Sequence, residues 1–193
     1  MAPEFASHWL GPRLGTFRRE HPQVQLQILV GTRQRDLTRG EAELAIQSPR
    51  PRSQGLLTVR IARASIGLYA SKAVAPNRRW RVADLEGLGG LPLLTYTSAF
   101  RMLQEAKWFQ PILAGAAVAV ETNSTHALVA AAQAGAGVAV LPRFVARAHA
   151  DLVEVSEDVA CQPVWLVTHP AFRRDPGVRA TADFLKGIAS DLG

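Results

Sequence analysis

Asn123-Ser124-Thr125-His126-Ala127-Leu128-Val129-Ala130-Ala131-Ala132-Gln133-Ala134-Gly135-Ala136-Gly137-Val138-Ala139-Val140-Leu141-Pro142 is the stretch on which the fold turns. Its first residues suit a helix start, because a short polar side chain at Asn123 or Ser124 can accept from the free N–H groups of the first turn. The predicted helix covers Thr125–Ala134, and Gly135 stops it. Gly137–Leu141 then reads as a buried strand, and Pro142 opens the next helix at a favoured first position. Val118–Glu121, just upstream, is another strand. A strand, a helix and a second strand in succession describe a crossover unit, which demands a parallel pair.

The same alternation extends in both directions. Leu10, Leu14 and Phe17 recur at helical spacing, so about 8–20 is predicted as an amphipathic helix, with Pro22 just beyond it. Val24, Leu26 and Ile28 alternate with Gln23, Gln25 and Gln27, the pattern of a strand with one polar face. A short polar-faced helix is expected from Gly31 to Arg39, ended by Gly40. Strands are predicted at Glu43–Gln47, Leu56–Arg63, Ser65–Ala70 and Leu91–Tyr96. Pro76, Asn77, Arg78 and Arg79 make a polar loop, Val82–Glu86 one helical turn and Met102–Phe109 a helix. Strands at Leu152–Val155 and Pro163–Val167 precede a last helix, Pro176–Ile188, with Val178, Phe184, Leu185 and Ile188 inward. The whole predicts an α/β layer fold with mostly parallel sheets. Ligands of such sheets sit beyond the carboxyl ends of strands, which directs attention to the residues just after Ile46, Tyr96, Glu121 and Leu141.

Bulk properties narrow the class. The 193 residues are 48% hydrophobic and 20% charged, which supports a proper core and argues against disorder. Apolar runs such as Val129–Ala136 fall short of the roughly 20 residues of a membrane span. Met1-Ala2-Pro3-Glu4-Phe5 lacks the basic and apolar regions of a signal peptide, so a cytoplasmic location is expected. Cys161 is the only cysteine; it excludes an intrachain disulfide and reads as a small core residue. The net charge is +6, and Arg33, Arg35, Arg39, Arg50, Arg52, Arg60 and Arg63 cluster. These charges are interleaved with acids and apolar residues, and no recognition helix is visible, so direct nucleic-acid binding by this chain is not expected.

Several segments, in order, resemble one family. Leu14-Gly15-Thr16-Phe17-Arg18-Arg19-Glu20-His21-Pro22-Gln23-Val24-Gln25-Leu26 is similar to the helix, His-Pro and strand that open the effector domain of LysR-type transcriptional regulators. Asp36-Leu37 and Gly40-Glu41-Ala42-Glu43-Leu44-Ala45-Ile46 follow, with Glu43 where the family usually carries Asp. Gly55-Leu56, Gly67-Leu68-Tyr69-Ala70-Ser71, Asp84-Leu85 and Pro92-Leu93-Leu94 match the next segments. Asn123 to Pro142 resembles the most recognisable one, and Trp165-Leu166-Val167-Thr168-His169 and Arg179 to Leu185 the closing strand and helix. The resemblance implies a two-lobed, periplasmic-binding-protein-like (type 2) α/β fold. Lobe I would be 1–70 plus 169–193 and lobe II 71–168, with a small-molecule effector in the cleft between them. It also implies a homodimer pairing lobe I of one subunit with lobe II of the next. DNA binding would belong to a winged helix-turn-helix that is absent here. Much of the first strand would be absent too, leaving an unpaired sheet edge.

The same resemblance, with the strand-end rule, selects the ligand-binding candidates. They are Glu4 and Phe5 at the first helix, Gln47 and Ser48 after the third strand, Thr97 and Ser98, and Asn123, Ser124 and Thr125. Leu141 and Pro142 would form an apolar wall. Free N–H groups at helix starts favour an anionic ligand, although Glu4 would repel one. Ser124 or Thr125 serves equally well as a plain helix cap, worth about 1 kcal/mol, and Thr97 and Ser98 as ordinary loop residues.

No cofactor, metal or catalytic group is expected. His8, His21, His126, His149 and His169 lack metal-ligand spacing, and His21, in His-Pro, reads as structural. Gly135-Ala136-Gly137 precedes a strand instead of following one, which fails the context of a dinucleotide site. Trp9, Trp80, Trp108 and Trp165 read as core or interface residues. Two other functions share the scaffold: a solute-binding protein of a transport system and, less in keeping with the residues, an enzyme.

Overall fold

A computed structural model describes residues 1–31, 35–51, 53–75, 88, 90–97, 110–156 and 159–193. The predicted helices at 82–86 and 102–109, the loop 76–79, Ser98, Trp80, Trp108, Arg33 and Arg52 lie outside those residues. Among the described residues are seven strands: β1 Leu44–Gln47, β2 Leu57–Ser71, β3 Leu93–Tyr96, β4 Val118–Thr122, β5 Val138–Pro142, β6 Leu152–Glu154 and β7 Ala160–Thr168. The α-helices are α1 Leu14–Glu20, α2 Gln110–Gly115, α3 Thr125–Gln133, α4 Arg143–Ala146 and α5 Pro176–Gly187. The chain forms two compact units, Met1–Ala64 with Gln162–Gly193, and Ser65–Cys161. It passes from one to the other twice, within β2 and within β7. The expected lobes instead place their boundaries at the far ends of these same two strands.

The Ser65–Cys161 unit is built on β5. Val138, Ala139, Val140 and Leu141 have no exposed surface, as befits a central strand covered on both faces. β5 runs parallel to β3, which is parallel to β4, and antiparallel to β2. β2 is also antiparallel to β6. Helix α3 buries Thr125, Leu128, Val129 and Ala132, one apolar stripe at helical spacing. Ser124 caps it, its Oγ accepting from the Ala127 N–H at 3.3 Å, and Gly135 leaves it at φ +80°. Gly137, at φ +153°, brings the β5 backbone against β3: a Cβ there would stand 2.2 Å from the Pro92 carbonyl oxygen.

In the other unit the chain begins with a π-helical turn, Phe5–Leu10, then a 3-10 turn, Gly11–Arg13, and then α1. Trp9 is buried and donates from Nε1 to the Ile188 carbonyl at 2.9 Å. Phe17 packs edge-on against Phe184 of α5, their centroids 5.0 Å apart. Asp175 caps α5, its Oδ1 accepting from the Val178 N–H at 2.8 Å. β1 is antiparallel to β7, with Gln47 opposite Trp165.

Four expectations need correction. The sheet is mixed rather than mostly parallel: β1/β7, β2/β5 and β2/β6 are antiparallel, because the chain returns through β7 beside β2 instead of always crossing over a helix. The two strands predicted on either side of Ala64 are one, β2, since nothing in Arg63-Ala64-Ser65 breaks an extended backbone. Residues 23–30 form no strand ladder; at the end of this stretch Met1 donates to the Leu29 carbonyl at 3.0 Å and accepts from the Gly31 N–H at 3.1 Å. Pro142 ends β5 and precedes α4 as its cap residue, not as its first helical residue. Cys161 is half-buried.

Candidate functional site

β3, β4 and β5 point the same way, so their carboxyl ends share one edge of the Ser65–Cys161 unit. That edge gathers Thr97, Asn123, Ser124, Thr125, Leu141 and Pro142. The Thr97 N–H donates to the Thr122 carbonyl at 3.0 Å. The Ser124 N–H donates to Thr122 Oγ1 at 3.1 Å. The buried Thr125 hydroxyl is 3.0 Å from Tyr96 Oη. Asn123 is exposed and Ser124 half-buried. Leu141 is 0% exposed, so its side chain serves the core and only Pro142 of that pair has surface to offer. Ile66 lies opposite Pro142, which makes this the edge at which β2 leaves the unit.

In the other unit, Gln47 ends β1 and Ser48 follows, with a cis bond to Pro49. Ser48 Oγ donates to Gln162 Oε1 at 3.4 Å, and Gln162 is where β7 enters this unit. These residues therefore also stand beside a crossing strand. Glu4 precedes the first helical turn without a side-chain cap bond. Phe5 is buried edge-on against Trp9, their centroids 6.1 Å apart. Ser98 lies outside the described residues. Among the described residues no cluster of three His, Cys, Asp or Glu could hold a metal ion, and no helix is long and apolar enough to cross a membrane.

The LysR substrate binding domain profile matches residues 1–189. The chain belongs to the LysR substrate-binding domain family. A curated relative, the Mau operon transcriptional activator of Paracoccus denitrificans, is 24% identical over 191 residues, which cover 96% of this chain and 62% of the relative. The chain thus spans less than two thirds of that protein. The CrgA regulatory domain of Neisseria meningitidis, from a LysR-type transcriptional regulator, superposes with TM-score 0.78 at 16% identity, covering 98% of this chain and 96% of that one. The regulatory domain of CcmR from Synechocystis PCC6803, in complex with 2-PG, gives 0.75 at 14% identity, covering 97% and 94%. At these identities the structural likeness establishes the fold.

The structure also shows two polar groups of which the sequence reading had named Gln47 alone. Arg143, the first residue after β5, pairs with Glu154 at 2.7 Å across β2, and Tyr69 Oη donates to the same carboxylate at 3.3 Å. Gly67 makes room for the Tyr69 ring, which a Cβ would meet at 3.1 Å. Burial, and then the Glu154 charge, push the Tyr69 hydroxyl up to about 12. The second group is Gln47 with Trp165. Gln47 Oε1 and Trp165 Nε1 are both buried without a hydrogen-bond partner among the described residues, and each such orphan costs about 1–3 kcal/mol. Arg50 stacks on the Trp165 ring, its guanidinium carbon 5.1 Å from the centroid, a contact worth about 0.5–1 kcal/mol at an exposed site. Both groups depend on cross-strand register, for which a linear pattern carries no signal.

Proposed function

We propose that this chain is the effector-sensing and oligomerisation domain of a LysR-type transcriptional regulator, and that a small metabolite binds between its two units. One observation carries the reading: the candidate residues of each unit gather at an edge beside a strand that crosses to the other unit. Gln47 and Ser48 stand beside β7 at Gln162. Thr97, Asn123, Ser124, Thr125 and Pro142 stand at the edge where β2 leaves. In this reading β2 and β7, the strands that cross between the units, serve as the hinges on which closure around a ligand turns. The named regulators among the relatives support the regulatory half of the proposal. The 2-PG in complex with the CcmR regulatory domain supports the ligand half, and the free N–H groups at the start of α3 suit an anionic ligand.

In this reading lobe I is 1–70 with 169–193 and lobe II is 71–168. No residue performs chemistry; Ser124 and Thr97 position the ligand, and the change of state is mechanical. The domain works in the cytoplasm as a homodimer, and DNA contact belongs to another part of the regulator. The test is a melting-temperature screen against small anionic metabolites. A ligand that binds only the folded form at a hundredfold excess over Kd adds about 2.7 kcal/mol, so the effector should raise the melting temperature of the native domain and much less that of Thr97→Ala. A complete panel without any shift would count against sensing, and a monomer in sedimentation would remove the dimer.

A further inference from the structure

Gln47 and Trp165 are directly opposite in the β1/β7 ladder, so their side chains rise from the same face a few ångströms apart. One carries a buried acceptor, Oε1, and the other a buried donor, Nε1–H, and neither is satisfied among the described residues. They do not satisfy each other. A folded protein rarely leaves two complementary polar atoms desolvated side by side, and the arrangement has an obvious guest. A carboxylate oxygen can accept from Nε1–H but has nothing to give Oε1, and an ammonium can only donate. A hydroxyl does both at once.

Arg50 covers the Trp165 ring of this pair. It is exposed and is held on its far side by one hydrogen bond, 3.2 Å, from Nη2 to Thr58 Oγ1. No carboxylate pairs with it among the described residues. A guanidinium on a flexible stem can swing off the ring and still remain near, where its donors would meet an anionic group. Ser48, the next residue after Gln47, donates from its hydroxyl to Gln162 Oε1 at 3.4 Å.

We propose that Gln47 and Trp165 read a hydroxyl group on a small hydroxylated anion, with Arg50 as cover in the empty protein and counter-ion in the filled one. The inference rests on the effector-sensing reading and names the class of effector. It assigns roles to Trp165 and Arg50, and it turns Gln47 from a general lining residue into half of a selective pair.

The experiment uses the intact chain, 15N-labelled at its indoles, with matched acids that differ only by a hydroxyl: malate against succinate, lactate against propionate, glycerate against 3-hydroxypropionate. Trp165 is assigned by its loss in Trp165→Phe, and Trp9, bonded to Ile188, serves as the hydrogen-bonded reference. In the free protein the Trp165 N–H should resonate as an unbonded indole, and the hydroxylated member of a pair should move it towards the Trp9 position. By calorimetry that member should bind about tenfold or more tighter than its deoxy partner, and the preference should fall to within about threefold in Trp165→Phe. A Trp165 signal already bonded in the free protein, a preference that survives Trp165→Phe, or a panel in which no acid moves the signal would each overturn the proposal. A metabolite that raises the melting temperature and leaves Trp165 unmoved overturns this inference alone. Failure of effector sensing shows differently, as no melting shift by any metabolite.

Discussion

Gly137→Ala is the most severe single-methyl change the structure offers. The new Cβ would stand 2.2 Å from the Pro92 carbonyl oxygen and 3.0 Å from its carbon. Real Cβ contacts essentially never fall below 3.0 Å, so β3 and β5 must part by about 0.8 Å, the difference between the two distances. The Val138 N–H donates to that same carbonyl at 2.8 Å. Opening the gap therefore loses a buried hydrogen bond, about 1 kcal/mol. An alanine at φ +153° adds about 1–3 kcal/mol of backbone strain. Shifting a strand whose four leading side chains are fully buried adds about 1–3 kcal/mol of mispacking. Together these give about 3–7 kcal/mol against a total stability of about 5–15 kcal/mol for a domain. Urea unfolding followed by circular dichroism should show the midpoint falling by about a fifth or more of its value with the slope unchanged. A midpoint within experimental error of the parent would refute the close approach of β5 to Pro92 and, with it, the register on which the Ser65–Cys161 unit is built.

Three smaller predictions follow from local geometry. Gly187→Ala, at the exposed end of α5 with open space around its Cα, should raise stability by about 0.5–1 kcal/mol in thermal melts; destabilisation would mean that the helix ends earlier. Ser124→Ala removes the cap on Ala127 N–H and should cost about 1 kcal/mol, with Ser124→Asp recovering most of it; equal losses in both variants would refute the capping role. The Tyr69 hydroxyl is raised from 10.0 to about 12 by burial and by Glu154. Its neutral form is favoured by folding, so its contribution is complete below pH 10 and is lost as pH climbs from 10 to about 12. Urea midpoints across that window should fall in the parent and less in Tyr69→Phe; identical slopes would contradict the burial of this hydroxyl.

Much of the fold could be read from local chemistry. The helix 125–134 carries its stop signal in Gly135 and its start signal in Asn123-Ser124, and the structure uses Ser124 and Gly135 in those roles. The run Val138-Ala139-Val140-Leu141 announces a strand buried on both faces, and Pro176 with its downstream apolar spacing announces α5. What escaped depends on partners distant in sequence. Gln23 to Ile28 alternates as a strand should, yet alternation cannot supply a neighbouring strand, and among the described residues none pairs with the segment in a ladder. The place of β7 beside β2 in the sheet follows from the chain's return, not from any residue in either. For the site, strand ends and the family pattern led to the edge that holds Thr97, Ser124 and Pro142. They could not show that Leu141 is sealed in the core, that Arg143 reaches across β2 to Glu154, or that Gln47 faces Trp165. Those are facts of register and burial, and they decide which residues of a strand end have anything left to offer a ligand.

The most direct test of the account is hydrogen exchange on the whole chain, free and with the metabolite that most raises its melting temperature. If the ligand is gripped by both units, protection should rise together in two separate stretches, around Gln47 to Arg50 and around Thr97 with Thr122 to Thr125, while the helix α5 stays unchanged. Protection confined to one unit, or placed away from both edges, would contradict the claim that the two edges form one binding site.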